Sequence, residues 1–239
     1  MKRILAYSVI SGMLLMSSCL VSSLHPFFKQ KDKVYEQAMV GSWIDSDSCI
    51  WVMEKNMISE YFMGPEYPDS TYRITYYEEE DMIGLFIGTL FELKGIRYLD
   101  FYPDPNEDHC NSELTGMHHF PTHTLARIQL DPDSIMMFWY GDEWLGELIK
   151  NNRIRIKHET VEMDADWTRH LLTAPTEDLQ KFIVKYANNP KTGINVEKIF
   201  AQGYVEEDME DEGAFLKLKP YLGPLPGEKA KKVEPLRNN

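Results

Sequence analysis

The residues best suited to chemistry cluster in one stretch: His109, Cys110, His118, His119 and His123. Neutral imidazoles and a thiolate are good zinc ligands. The spacing argues for a plainer reading. The stretch carries Pro121 and reads as extended. On a strand, His119 and His123 share a face but lie roughly 13 Å apart, at about 3.3 Å per residue, whereas both must approach one zinc to about 2 Å. Loop and edge-strand histidines are therefore expected, with no metal and no other cofactor. Cys110 near a histidine also has the makings of a cysteine nucleophile. In an exported chain a disulfide or a buried thiol is the stronger reading.

Carboxylates are abundant: Glu78, Glu79, Glu80, Asp81, Asp100, Asp104, Glu107 and Asp108. Glycoside hydrolysis needs two of them about 5–9.5 Å apart across a cleft, and nothing in the sequence selects a pair. The run Glu78 to Asp81 reads as a solvated turn. Asp100 to Asp108 lacks the glycine and the register of a calcium loop. Neither a Gly-x-Ser-x-Gly elbow nor a phosphate-cradling glycine loop is present. No catalytic residue is assigned, and a hydrolase is the least supported function. Aromatic residues are the remaining resource: Trp43, Trp51, Tyr61, Phe62, Tyr72, Tyr76, Tyr77, Phe86, Phe91, Tyr98, Phe101, Tyr102, Phe138, Trp139 and Tyr140. Strands that carry them on both faces either line a cavity for an apolar ligand or fill a small barrel solid.

The N-terminus supplies an address. Lys2 and Arg3 lead into the apolar stretch Ile4 to Leu15, followed by Leu15-Met16-Ser17-Ser18-Cys19. The apolar stretch is too short for the roughly 20 residues a bilayer core requires. Its layout is that of a secretory signal with a cysteine at the cleavage point. It resembles a bacterial lipobox, in which the cysteine becomes the lipidated first residue. Residues 1–18 are then a signal peptide, Cys19 carries the acyl chains, and residues 19–33 form a tether. More than one acyl chain is the condition for stable anchoring. The expected location is the bacterial cell envelope, with the outer membrane as the default. Cleavage leaves 221 of 239 residues and takes the formal charge from −13 to −15 through loss of Lys2 and Arg3. So acidic a chain argues against nucleic acid and against an electrostatic hold on anionic lipid. Cys49 and Cys110 are the remaining cysteines. Export makes them a candidate disulfide, and two separate buried thiols are the alternative.

The elements that would position these groups are mostly strands. From Val40 to about His158 the period is 2. Ile83, Leu85, Ile87, Thr89, Phe91 and Leu93 line one face of a long strand, and Phe86 and Leu90 lie on the other. Such a strand is covered on both sides or bent across a core, and Gly84 and Gly88 suit a bend or bulge. Tyr72 to Tyr77 and Arg97 to Phe101 alternate in the same way. Leu125 to Leu130 and Ile135 to Trp139 flank a hairpin turn at Asp131-Pro132-Asp133-Ser134. Tyr35 to Met39 suits a short helix.

Two longer helices come late. Asp142 can cap one that runs to Asn151, with Trp144, Leu145, Leu148 and Ile149 as its apolar stripe. The other begins near Pro175 or Thr176, with Leu179, Phe182, Ile183, Tyr186 and Ala187 facing the core and Glu177–Lys181 as an outer pair. Ile154 and Ile156 read as a strand, and so does Trp167 to Thr173. Residues 34–204 are the expected globular domain. Glu206 to Glu212 holds six acids in seven positions, and prolines and lysines follow, so residues 205–239 read as a disordered tail.

Gly41-Ser42-Trp43 resembles the opening of lipocalin-like barrels, in which that tryptophan plugs the closed end. The later segments His119-Phe120-Pro121-Thr122-His123-Thr124-Leu125, Ile135 to Trp139, Asp142-Glu143-Trp144-Leu145 and Leu171 to Phe182 resemble an uncharacterised group of bacterial lipoproteins. The resemblance spans about Val40 to Lys191. It implies an exported, membrane-tethered domain and no particular activity. The expected fold is mainly β with two helices (α+β): an antiparallel lipocalin-like barrel or a strongly curved sheet. The expected function is non-catalytic binding of a small apolar ligand or lipid at the membrane. The alternative is a structural protein that docks an envelope partner through its acidic surface or tail.

Overall fold

A computed structural model describes residues 20–56, 71–78, 83–104, 120–164, 167–189, 192 and 215–226. The chain forms an antiparallel closed barrel of eight strands with three further strands and two helices against its wall. The barrel strands are β2 (Gly41–Ile44), β3 (Ile50–Lys55), β4 (Thr71–Tyr77), β5 (Ile83–Leu93), β6 (Ile96–Pro103), β7 (His123–Asp131), β8 (Ser134–Trp139) and β11 (Leu216–Pro220). β2 to β8 pair in sequence order. β11 closes the ring between β8 and β2, pairing Leu218 with Ile135 and Pro220 with Trp43. The architecture is lipocalin-like.

Closure corrects the expectation of a disordered tail at Leu216–Pro220, which form a strand; residues 205–214 and 227–239 lie outside the described residues. Leu216 and Leu218 are buried inside the barrel, and Lys217 and Lys219, which alternate with them, are exposed, which is the period of a half-buried strand. The tether over residues 19–33 is corrected too. β1 (Ser22–Ser23) pairs with β7 on one side and runs parallel to β10 (Trp167–Leu172) on the other, and β9 (His158–Asp164) extends the sheet beyond β10. Val21, Ser22, Ser23 and Phe27 are buried. Serines read as a spacer because of their polarity. Here a strand edge on each side satisfies their backbones. Residues 1–19, including the signal peptide and Cys19, lie outside the described residues.

Alternation sorts the side chains into two cores. Inside the barrel lie Trp43, Trp51, Met53, Tyr72, Ile74, Leu90, Leu99, Phe101, Ile128, Met137, Trp139 and Leu218. On the outer wall Phe91, Tyr98 and Leu125 meet α1 (Asp142–Lys150) and α2 (Thr176–Tyr186), through Trp144, Leu145, Leu148, Leu179, Phe182 and Ile183. This is why β5 is apolar on both faces: Leu90 points in and Phe91 points out. β5 pairs with β4 in unbroken register, so Gly84 and Gly88 make no bulge. A Cβ at Gly88 would lie 2.5 Å from Ile74 Cδ1, and one at Gly84 would lie 2.8 Å from the Phe86 ring. Both glycines make room for neighbouring side chains.

Three smaller expectations also change. Asp142 does not cap α1. The capping position is Gly141, which makes no side-chain cap, and the Asp142 carboxylate turns to His170. Residues 153–157 form no strand, although Ile154 and Ile156 do pack on the outer core. Lys181 pairs with Asp178 at 2.8 Å, and Glu177 with Lys29 at 2.8 Å. The hairpin at Asp131–Ser134 and the apolar stripes of both helices are as the sequence predicts.

One end of the barrel is crossed by the N-terminal segment. Two 3-10 turns, Gln30–Asp32 and Gln37–Met39, lie in this segment, and the Trp43 indole N–H donates to the Met39 carbonyl at 3.0 Å. Tyr35 stacks on Tyr72 at 5.2 Å, and the Tyr72 hydroxyl donates to the Glu36 carbonyl at 3.1 Å. Val34 N–H donates to the Leu90 carbonyl at 3.0 Å. Residues 27–40 are thus fastened across that end.

Candidate functional site

At the other end five aromatic rings form one connected layer. The strand register brings them together: β3–β4 pairs Trp51 with Tyr76, β4–β5 pairs Ile74 with Phe86, β5–β6 pairs Gly88 with Phe101, and β7–β8 pairs Ala126 with Trp139. Trp51 lies 4.5 Å from Tyr76 and 6.5 Å from Phe101, centroid to centroid. Phe101 lies 6.2 Å from Phe86, edge to face, and 4.8 Å from Trp139. Such pairs add roughly 0.5–1.5 kcal/mol each beyond the area they bury. Trp51, Phe101 and Trp139 are buried, while Tyr76 and Phe86 remain partly exposed. Below the layer, Ile74, Leu99, Met53 and Ile128 fill the barrel. An apolar ligand therefore meets a shallow aromatic face, with packed side chains beneath it.

The connection after β2 brackets this layer. The Asp45 carboxylate accepts the Trp51 indole N–H at 2.9 Å, the Cys49 N–H at 2.9 Å and the Asp47 N–H at 3.1 Å. These bonds hold Trp51 in one orientation. Cys49 is a buried free thiol, and burial, opposed by its hydrogen bond with Tyr76, pushes it up to about 11. The Tyr76 hydroxyl is pushed upward, chiefly by burial and by its bond to Cys49. A thiol held protonated in this way is a poor nucleophile. Cys110, its candidate disulfide partner, lies outside the described residues, as do His109, His118 and His119.

His123 is the one member of that histidine group among the described residues, and it has a definite partner. Its Nδ1 lies 2.7 Å from Asp100 Oδ1, and its ring lies 4.5 Å from Tyr102. Asp100 is 1% exposed, and its other oxygen accepts the Phe27 N–H at 2.9 Å. Burial pushes the Asp100 carboxyl above the ordinary range, with His123, Phe27 and Lys33 opposing. The sequence did not reveal a second such pair. His170 Nδ1 lies 3.1 Å from Asp142 Oδ2, and the Asp142 carboxyl is raised by burial against the opposing pull of His170. Gly146 leaves space for the His170 ring, since a Cβ there would lie 2.8 Å from its Cε1.

An aspartate on Nδ1 is the orienting half of a catalytic triad. The other half is not assembled: among the described residues no hydroxyl or thiol is bonded to Nε2 of either histidine. Asp100 instead fastens the Phe27 N–H, and both histidines lie on the strands that flank β1. Ser23 is registered against His123 on β7 and against Leu172 on β10, two residues beyond His170. Among the described residues no group of three or more His, Cys, Asp or Glu side chains is placed to hold a metal ion. Of the acids read as candidates, Glu78 is exposed and Asp104 is buried beside Arg73, at 3.6 Å. Glu79, Glu80, Asp81, Glu107 and Asp108 lie outside the described residues.

No protein-family model, curated protein or solved structure matches the chain.

Proposed function

We propose that the protein is a lipid-anchored envelope protein that binds a small apolar ligand, without catalysis, at the aromatic end of its barrel. The observation that carries the reading is the layer of Trp51, Tyr76, Phe86, Phe101 and Trp139, with Tyr76 and Phe86 still accessible. Aromatic and apolar side chains with a few fixed polar groups are what line small-molecule sites. The position of Leu20 supports the anchor in the same picture. Leu20 bridges to Gly141, two residues beyond Trp139, and packs against the barrel core. An acyl group on Cys19, one peptide unit (about 3.8 Å) before Leu20, keeps the aromatic end beside the bilayer, where apolar ligands concentrate.

The test is titration of a neutral naphthylamine dye into a soluble form that begins at residue 19 with Cys19→Ser. Saturable binding with tryptophan quenching is expected, and Phe86→Ala is expected to weaken it about tenfold, the equivalent of roughly 1.4 kcal/mol of lost ring contact. Phe215→Ala, at the Phe138–Phe215 pair on the outer wall, is the control and is expected to bind normally. Binding that is indifferent to Phe86 would place the ligand elsewhere. Absence of binding would favour the partner-docking alternative. The anchor is checked separately by metabolic labelling with an alkyne fatty acid, which is expected to mark the wild-type chain and not Cys19→Ser.

A further inference from the structure

Among the described residues the sheet has one open edge. The barrel strands close on one another, β1 lies between β7 and β10, and β9 ends the order. Glu159, Thr160, Val161 and Glu162 are all exposed, so both faces of β9 are open to solvent as well. The bonding phase of this edge follows from three contacts. Thr173 N–H donates to the Lys157 carbonyl at 3.0 Å, one step beyond the pairing of Leu172 with His158. Bonded and non-bonded pairs alternate in an antiparallel ladder, so the bonds to β10 fall at Lys157, Glu159 and Val161. The intervening groups of β10 point away from β9, as this requires. His170 N–H donates to the Asp142 carboxylate at 3.3 Å, and the Leu172 carbonyl accepts the Leu24 N–H at 3.0 Å. The backbone N–H and C=O groups of His158, Thr160 and Glu162 therefore point outward, and among the described residues none of them has a partner on that side.

An open edge of this kind is a template for another strand. We propose that β9 pairs with β9 of a second copy of this chain, antiparallel and centred on Thr160. In that register Thr160 faces its own counterpart, His158 of each copy faces Glu162 of the other, and Glu159 faces Val161. All three outward-pointing residues are then bonded, an imidazole meets a carboxylate on each side of the centre, and no like charges stand opposite. The patch is self-complementary, so the contact closes at two copies. A slip of two residues is worse in either direction. One slip sets Glu159 against Glu159. The other sets His158 against Asp164, which lies beyond the shift in register between the Glu162–Thr168 and Asp164–Trp167 pairs. Past such a bulge the outward phase is lost.

Sedimentation of the chain from residue 19, with Cys19→Ser and Cys110→Ser, tests the pairing. The mass is expected to rise with concentration toward twice that of the monomer, because so short a ladder is small for a stable interface. Thr160→Pro removes the central outward N–H and none of the bonds to β10, and proline is tolerated where a strand's N–H faces solvent. It is expected to lower the dimer affinity at least about tenfold, the equivalent of two hydrogen bonds, with the thermal melt of the monomer little changed. Glu162→Lys, at an exposed side chain, is expected to lower it about tenfold through two lost cross-strand pairs. Oxidative crosslinking reads the register. Thr160→Cys sets two Cα atoms about 5.5 Å apart, within disulfide range. Val161→Cys sets them roughly 8 Å apart, from the strand rise and spacing, which is beyond it. Crosslinking through Thr160→Cys and not through Val161→Cys is expected. A monomer at every concentration would overturn the proposal. So would a dimer indifferent to both Thr160→Pro and Glu162→Lys, which would place the contact on another face, or crosslinking through Val161→Cys alone.

Discussion

Leu218→Ala tests the strand that closes the barrel. Leu218 is fully buried, sits opposite Ile135 on β8 and belongs to the interior core. Truncation to alanine removes three carbons, about 2.4 kcal/mol of transfer free energy at roughly 0.8 kcal/mol per group. A residual cavity adds to this, and Leu→Ala in well-packed cores costs about 2–5 kcal/mol in all. A loss of about 3 kcal/mol is expected, which for a domain of this size lowers Tm by roughly 6–12 °C. Leu222, four residues on, is 98% exposed. Leu222→Ala is therefore expected to stay within about 0.5 kcal/mol of wild type. The assay is equilibrium urea unfolding of the two variants and wild type, with thermal melts alongside. If Leu218→Ala matched wild type within error, β11 would not be part of the barrel, and residues 205–239 would be the solvated tail their composition suggests.

Three further outcomes follow from the same geometry. Cys49, raised to about 11 from 9.0, is expected to react with a disulfide reagent at pH 8 roughly 100-fold more slowly in the native protein than in denaturant, since that is the ratio of thiolate populations; fast native reaction would contradict its burial. Asp100→Ala strips a buried backbone N–H and an imidazole of their acceptor, so a loss of at least about 2 kcal/mol is expected, with faster tryptic cleavage at Lys29–Lys33; an unchanged digest would contradict the fastening of this segment. Burial raises the folded Asp142 carboxyl above its ordinary value, so the folded state holds that proton more tightly than the unfolded chain does. Stability is then fully present below about pH 4 and declines as pH rises toward the folded value. Urea midpoints taken upward from about pH 4 are expected to fall in wild type relative to Asp142→Asn, and a relative rise would refute the assignment.

Much of the barrel was legible because a half-buried strand writes itself as period 2. Tyr72 to Tyr77, Ile83 to Leu93 and the Asp131–Ser134 hairpin all speak through that pattern. The helices were legible for the equivalent reason at a period near 3.6. What was hidden depended on distant partners. β1 is two serines long, and only the edges of β7 and β10 make it a strand. β11 does alternate, as Leu216-Lys217-Leu218-Lys219, but it lies between an acidic run and a proline-rich end whose composition outweighs it. The aromatic layer could be inventoried from sequence, but not assembled, because which rings meet depends on register across four pairings. The Asp142–His170 pair is the clearest miss: the spacing suggests a helix cap, and a contact 28 residues away overrides it.

The most direct test of the account follows the tryptophan indole N–H resonances by NMR as an apolar ligand is added. Trp51 is bonded to Asp45 and Trp139 packs on Phe101 at the aromatic end, Trp43 is bonded to Met39 at the opposite end, and Trp144 packs on Phe182 outside the barrel. The account predicts saturable shifts at Trp51 and Trp139, with Trp43 and Trp144 still. Shifts confined to Trp43 or Trp144, or no saturable shift at any of the four, would contradict it.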